Sequence, residues 1–122
     1  MKATELRIGN WVYETEFIGA EKVWSIETEL VDGEQSINDC PISTIKPIHL
    51  TEEWLKKFGF ENDLSQDTPE YRLTNKWVCK SFVIYTDWVG EQLIYENTSI
   101  RYVHQLQNLY FALTGEELIP NQ

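Results

Sequence analysis

The sequence predicts an α+β fold: a small curled N-terminal β-sheet, a short helix, then an antiparallel sheet closed by a C-terminal helix. Three observations predict it. The first fifty residues alternate apolar and polar side chains in short runs broken by turn residues, the period-two pattern of strands. A mutually consistent set of capping signals marks a helix beginning after Thr51. A 3.6-residue apolar periodicity runs from Val103 to Leu113. These parts divide into an N-terminal β module, residues 1–50, and a second module, residues 51–122, expected to pack together as one compact unit.

In the first module Leu6-Arg7-Ile8 alternates, and Gly9 ahead of Trp11-Val12-Tyr13 marks a bulge or bend within a strand pattern. Phe17 to Ala20 reads as a turn. From Val23 to Leu30 the chain alternates, with Trp24, Ile26, Thr28 and Leu30 on one face and Ser25, Glu27 and Glu29 on the other, as a half-buried strand requires. Asp32-Gly33 is a hairpin signal, with the return over residues 35–38. Pro41 and Pro47 bracket a short turn whose isoleucines, Ile42 and Ile45, point inward. An SH3-like barrel is the small curled sheet that best matches this pattern.

Thr51 is the expected N-cap of the short helix, with Glu52 and Glu53 in its first turn and Lys56 and Lys57 in its last, each sign complementing the helix dipole. Leu50 and Leu55 have the spacing of a hydrophobic staple, and Gly59 stands where a left-handed residue ends a helix. Residues 61–70 are polar and read as a loop, and Tyr71-Arg72-Leu73 opens another sheet. Residues 77–85 read as one central strand with large apolar groups on both faces. Gly90 marks a turn, residues 92–95 a strand, Asn97-Thr98 a turn and residues 100–102 a last strand. In the final helix Val103, Leu106, Leu109, Tyr110 and Leu113 form one apolar stripe, and Gly115 is the expected terminator.

Composition excludes several functions. A hydrophobic fraction of 42% with five tryptophans supports a packed core without metals or disulfides. No apolar run approaches the roughly 20 residues that span a bilayer, so no membrane partner and a cytoplasmic location are expected. Cys40 and Cys79 are then two reduced thiols. The formal net charge is −10, which disfavours direct nucleic-acid binding. Two histidines, His49 and His104, lack the neighbours of a zinc site, the six glycines form no phosphate loop, and no serine sits in a nucleophile elbow. Neither cofactor, metal nor catalytic set is expected.

One surface exceeds what closure of the fold requires. His104, Gln107, Asn108 and Phe111 project together from the C-terminal helix, away from its apolar stripe. A solvated helix face normally carries Lys and Glu. This one carries neutral hydrogen-bonding groups and a phenylalanine, with no Asp, Glu, Lys or Arg between His104 and Thr114. It packs within the chain, contacts a protein partner or a second copy, or belongs to a small-molecule site.

Three stretches, LRIGNWV (residues 6–12), LTEEWLKKFGF (50–60) and YVHQLQNLYFALTGEEL (102–118), together resemble a group of small uncharacterised proteins of gut bacteria and their prophages. That resemblance implies a phage-associated cytoplasmic setting and brings no catalytic residue. The expected function is a non-enzymatic protein-interaction module. The alternatives are an acidic decoy for a basic nucleic-acid-binding site on a host protein, and a small enzyme with an unrecognised site.

Overall fold

The computed structural model describes residues 3–15, 19–31, 33–63, 76–80, 82–86, 93–96 and 98–120. The chain is α+β and divides into two compact units, Met1–His49 with Tyr102–Glu117, and Leu50–Arg101 with Leu118–Gln122.

The first unit opens with a 3-10 turn, Ala3–Glu5, followed by strands β1 (Trp11–Glu14), β2 (Gly19–Lys22), β3 (Ile26–Val31), β4 (Glu34–Ile37), β5 (Cys40–Pro41) and β6 (Ile45–Lys46). They make two antiparallel three-stranded sheets, in the orders β2-β1-β6 and β3-β4-β5. The expected SH3-like barrel is not formed. A barrel needs a hydrogen-bonded ladder that continues around the axis. Here β5 and β6 have two residues each, and β1 and β4 are centres of separate sheets.

The alternating segment also departs from expectation. β3 begins only at Ile26, and its register on β4 shifts between Glu27 and Val31. Extra residues in one strand break the period-two rule. Trp24 and Leu30, read from alternation as a buried face, are exposed. The return strand ends at Ile37. Asn38 and Asp39 both have positive φ, 53° and 62°, between the paired residues Ile37 and Cys40. That is a two-residue hairpin of the mirror-image type, whose twist matches the flanking strands. Asp32 and Phe17-Ile18 lie outside the described residues.

Ala3, Leu6, Val12, Val23, Ile37 and Ile45 form the core cluster of this unit, with Ile42 packed against it. Helix α2 (Val103–Thr114) belongs to this unit as well and contributes buried Val103, Leu106 and Tyr110. Its stripe is also shorter than periodicity implies: Leu109 is half-buried and Leu113 is exposed. Gly115 ends it at φ 76°, donating to the Phe111 carbonyl at 2.8 Å.

The second unit holds α1 (Glu52–Lys57) and strands β7 (Glu61–Asp63), β8 (Lys76–Cys79), β9 (Phe82–Thr86), β10 (Leu93–Tyr95) and β11 (Thr98–Ile100). These form one antiparallel sheet in the order β11-β10-β9-β8-β7. The Thr51 hydroxyl accepts from the Trp54 amide at 3.4 Å, and the Phe60 amide returns to the Leu55 carbonyl at 2.9 Å. Thr51→Ala should cost about 1 kcal/mol and Thr51→Ser almost nothing, measured as shifts in a urea midpoint.

Residues 61–63, read as loop, pair with β8 through Glu61↔Val78 and Asp63↔Lys76. The rest of that loop, Tyr71-Arg72-Leu73, Gly90, Gln92 and Asn97 lie outside the described residues. The single strand expected over residues 77–85 is a hairpin, with Cys79 opposite Phe82. Lys80 takes φ 56° at its bend, a conformation that lysine composition does not announce. Phe82 stacks on Tyr95 at 4.5 Å and meets Phe60 edge-on at 6.2 Å, both favoured aromatic arrangements.

Candidate functional site

Residues 6–10, between the 3-10 turn and β1, form an irregular segment rather than the continuation of a strand. Gly9 has φ 98°, and its amide donates to the Val23 carbonyl at 2.8 Å. A bend leaves backbone groups without ladder partners, and buried ones must find others. The neutral side chains of α2 supply them. Gln107, fully buried, accepts from the Trp11 amide through Oε1 at 2.8 Å and donates from Nε2 to the Gly9 carbonyl at 3.0 Å. Its amide thus stands in for one peptide unit of a neighbouring strand.

Asn108 does similar work one residue on. Its Nδ2 donates to the Glu5 carbonyl at 3.0 Å, and its Oδ1 accepts from Asn10 Nδ2 at 2.8 Å and Arg7 Nε at 3.0 Å. Asn10 is buried, and its own Oδ1 accepts from the Arg7 amide at 2.7 Å. The Arg7 guanidinium lies 4.3 Å from the Phe111 ring centroid and pairs with Glu117. Phe111 remains 39% exposed under that cover.

His104 is buried at 2% exposure. Its ring stacks on Tyr102, 6° from parallel with centroids 5.8 Å apart, and its Nε2 lies 3.9 Å from a Glu5 carboxylate oxygen. Burial lowers its pKa below the ordinary 6.5, Glu5 opposes that shift, and the amino terminus adds to it.

The structure therefore gathers the four predicted residues but assigns them unequal positions. His104 and Gln107 are enclosed by the first unit and present no free docking surface, Asn108 is half-buried, and Phe111 reaches solvent. The uncharged face has a folding reason: amides can saturate a bent backbone without burying charge. Arg7→Met should cost about 1 kcal/mol in urea unfolding, through the lost fork and ring contact, and Glu117→Gln less than about 0.5 kcal/mol, since that pair is partly exposed.

A second feature escaped sequence reasoning. Trp24 is 57% exposed, yet its backbone is held. Asn38 Oδ1 accepts from the Trp24 and Ser25 amides at 2.7 and 3.1 Å, and Asn38 Nδ2 donates to the Lys22 carbonyl at 3.0 Å. An Asn-Asp pair after a strand is the signal that could have revealed this.

Cys40 and Cys79 form no disulfide and lie in different units. Among the described residues, no group of three or more His, Cys, Asp or Glu is placed to hold a metal ion, and no helix is long and apolar enough to cross a membrane. Fold and site together define an α+β protein with an amide-saturated helix joint. Comparison with protein-family models, curated proteins and solved structures yields no match.

Proposed function

We propose that this chain is a non-enzymatic protein-interaction module of a phage or mobile element. The observation that carries the interaction reading is Trp24, a large aromatic side chain exposed on a backbone that Asn38 fixes. Exposed tryptophans are favoured interface anchors, and a backbone ordered beforehand loses little entropy on binding. Ile8 and Phe111 add exposed apolar area in the same unit. The phage setting rests on the resemblance of residues 6–12, 50–60 and 102–118.

The test is capture of partners from bacterial lysate by wild type, Trp24→Ala and Phe111→Asp, with light scattering of each to detect a second copy as the partner. Loss of a specific partner or of the dimer in either variant, at unchanged melting temperature, supports the reading. Identical captures by all three overturn it. A basic partner is favoured by the net charge of −10 and by Glu27 and Glu29, both exposed on β3. Such a complex weakens as salt rises from low to physiological strength, and one indifferent to salt removes the acidic-decoy version.

A further inference from the structure

Both histidines of the chain meet one ring. Tyr102 lies 5.3 Å from His49 and 5.8 Å from His104, between centroids. His49 is exposed, whereas His104 is enclosed and its Nδ1 has no hydrogen-bond partner. A Glu5 carboxylate oxygen lies 3.9 Å from its other nitrogen, and Glu5 ends the N-terminal 3-10 turn. Ala3 in that turn is 1% exposed and belongs to the core cluster, so the turn is a cover over the core. The turn is held in part by the Leu6 amide, which donates to the Ala3 carbonyl at 3.1 Å, and by Asn108, which donates to the Glu5 carbonyl at 3.0 Å.

We propose that His104 and Glu5 form an acid-sensitive latch, in which proton uptake by the enclosed imidazole releases the turn Ala3–Glu5 from α2 and uncovers the core beneath Ala3. The neutral ring tolerates one nitrogen without a partner. The imidazolium carries N–H on both, so it buries a donor and a charge with only a carboxylate 3.9 Å away in compensation. The titratable and charged groups around it are Glu5 on the turn, the amino terminus, and Tyr102 with His49 behind the stack. Only Glu5 favours the cation. Movement of the turn hydrates the ring and relieves that cost.

The sign follows from proton counts. The open form takes up its proton near the ordinary 6.5, the closed form at lower pH. Closure is thus complete above 6.5 and weakens as pH falls from there to the lowered value. The opening constant should rise by up to about tenfold per pH unit in that window and level off below it.

Amide exchange followed by NMR, corrected for intrinsic rates, tests this in the full chain. The Leu6 amide should lose protection across that window, with the midpoint at which the His104 ring titrates. His104→Gln should flatten the dependence. Glu5→Gln, which leaves the core untouched, should move the His104 midpoint to lower pH and enlarge the loss of protection. A His104 midpoint at or above 6.5, or a titrating His104 with constant Leu6 protection, overturns the latch. If His104→Gln does not fold, the Glu5→Gln shift decides alone: an unmoved midpoint overturns it.

Discussion

Gln107→Leu is expected to destabilise the first unit by about 3 kcal/mol. Leucine matches glutamine closely in volume, so the cost does not come from a cavity. It comes from the Trp11 amide and the Gly9 carbonyl, which lose the partners now at 2.8 and 3.0 Å. Each buried group left unmatched costs about 1–3 kcal/mol, and the bend at Gly9 keeps both from finding a replacement in the β1 ladder. Gln107→Ala should cost about 1 kcal/mol more, because a cavity is added to the same two losses. Urea unfolding measures the totals. Amide exchange at Trp11 identifies the mechanism, since its protection should collapse in both variants. Preserved protection at Trp11 would show that the backbone re-pairs and would remove this account of why α2 carries amides.

The periodic parts of this fold were legible. The capping signals around Thr51, the glycine terminator of α2 and the inward Ile45 all rest on interactions within one turn or one strand, and sequence displays those directly. What stayed hidden depends on partners far away in the chain. Gln107 and Asn108 looked surplus on a helix because nothing in residues 103–114 says that the chain bends over residues 6–10 and needs donors and acceptors. Separations near 100 residues leave no local trace. The Lys80 bend was invisible for a different reason: its positive φ is imposed by the pairing of β8 with β9, against the residue's own preference. Alternation failed at Trp24 because β3 begins only at Ile26, and at Leu30 because a register shift within β3 turns its side chains out of step. The candidate site was thus found as a set of residues, while its main duty, saturating a bend, could be seen only in three dimensions.

Asn38→Ala is expected to be as damaging in a different part of the same unit, at about 3 kcal/mol. Two costs combine. The left-handed conformation at φ 53° is tolerated by asparagine and disfavoured for alanine by roughly 1 kcal/mol. The rest is the loss of three side-chain hydrogen bonds, to the Trp24 and Ser25 amides and the Lys22 carbonyl. A series separates them. Asn38→Gly removes the conformational cost but not the bonding loss, so it should fall near 2 kcal/mol. Asn38→Asp keeps an acceptor for both amides and loses only the donor to Lys22, so it should be the mildest, near 1 kcal/mol. The order alanine, glycine, aspartate therefore reports the acceptor as the main contribution. An aspartate variant weaker than glycine would assign it instead to the Lys22 contact. The same series bears on function, because Trp24 is anchored through this oxygen. Asn38→Gly should leave the tryptophan exposed but less ordered, and partner affinity should drop without any change in the contacting side chain. Asn38→Asp, which still holds the Trp24 amide, should bind nearly as wild type. Equal affinity across the series would show that the order of that backbone contributes nothing to recognition.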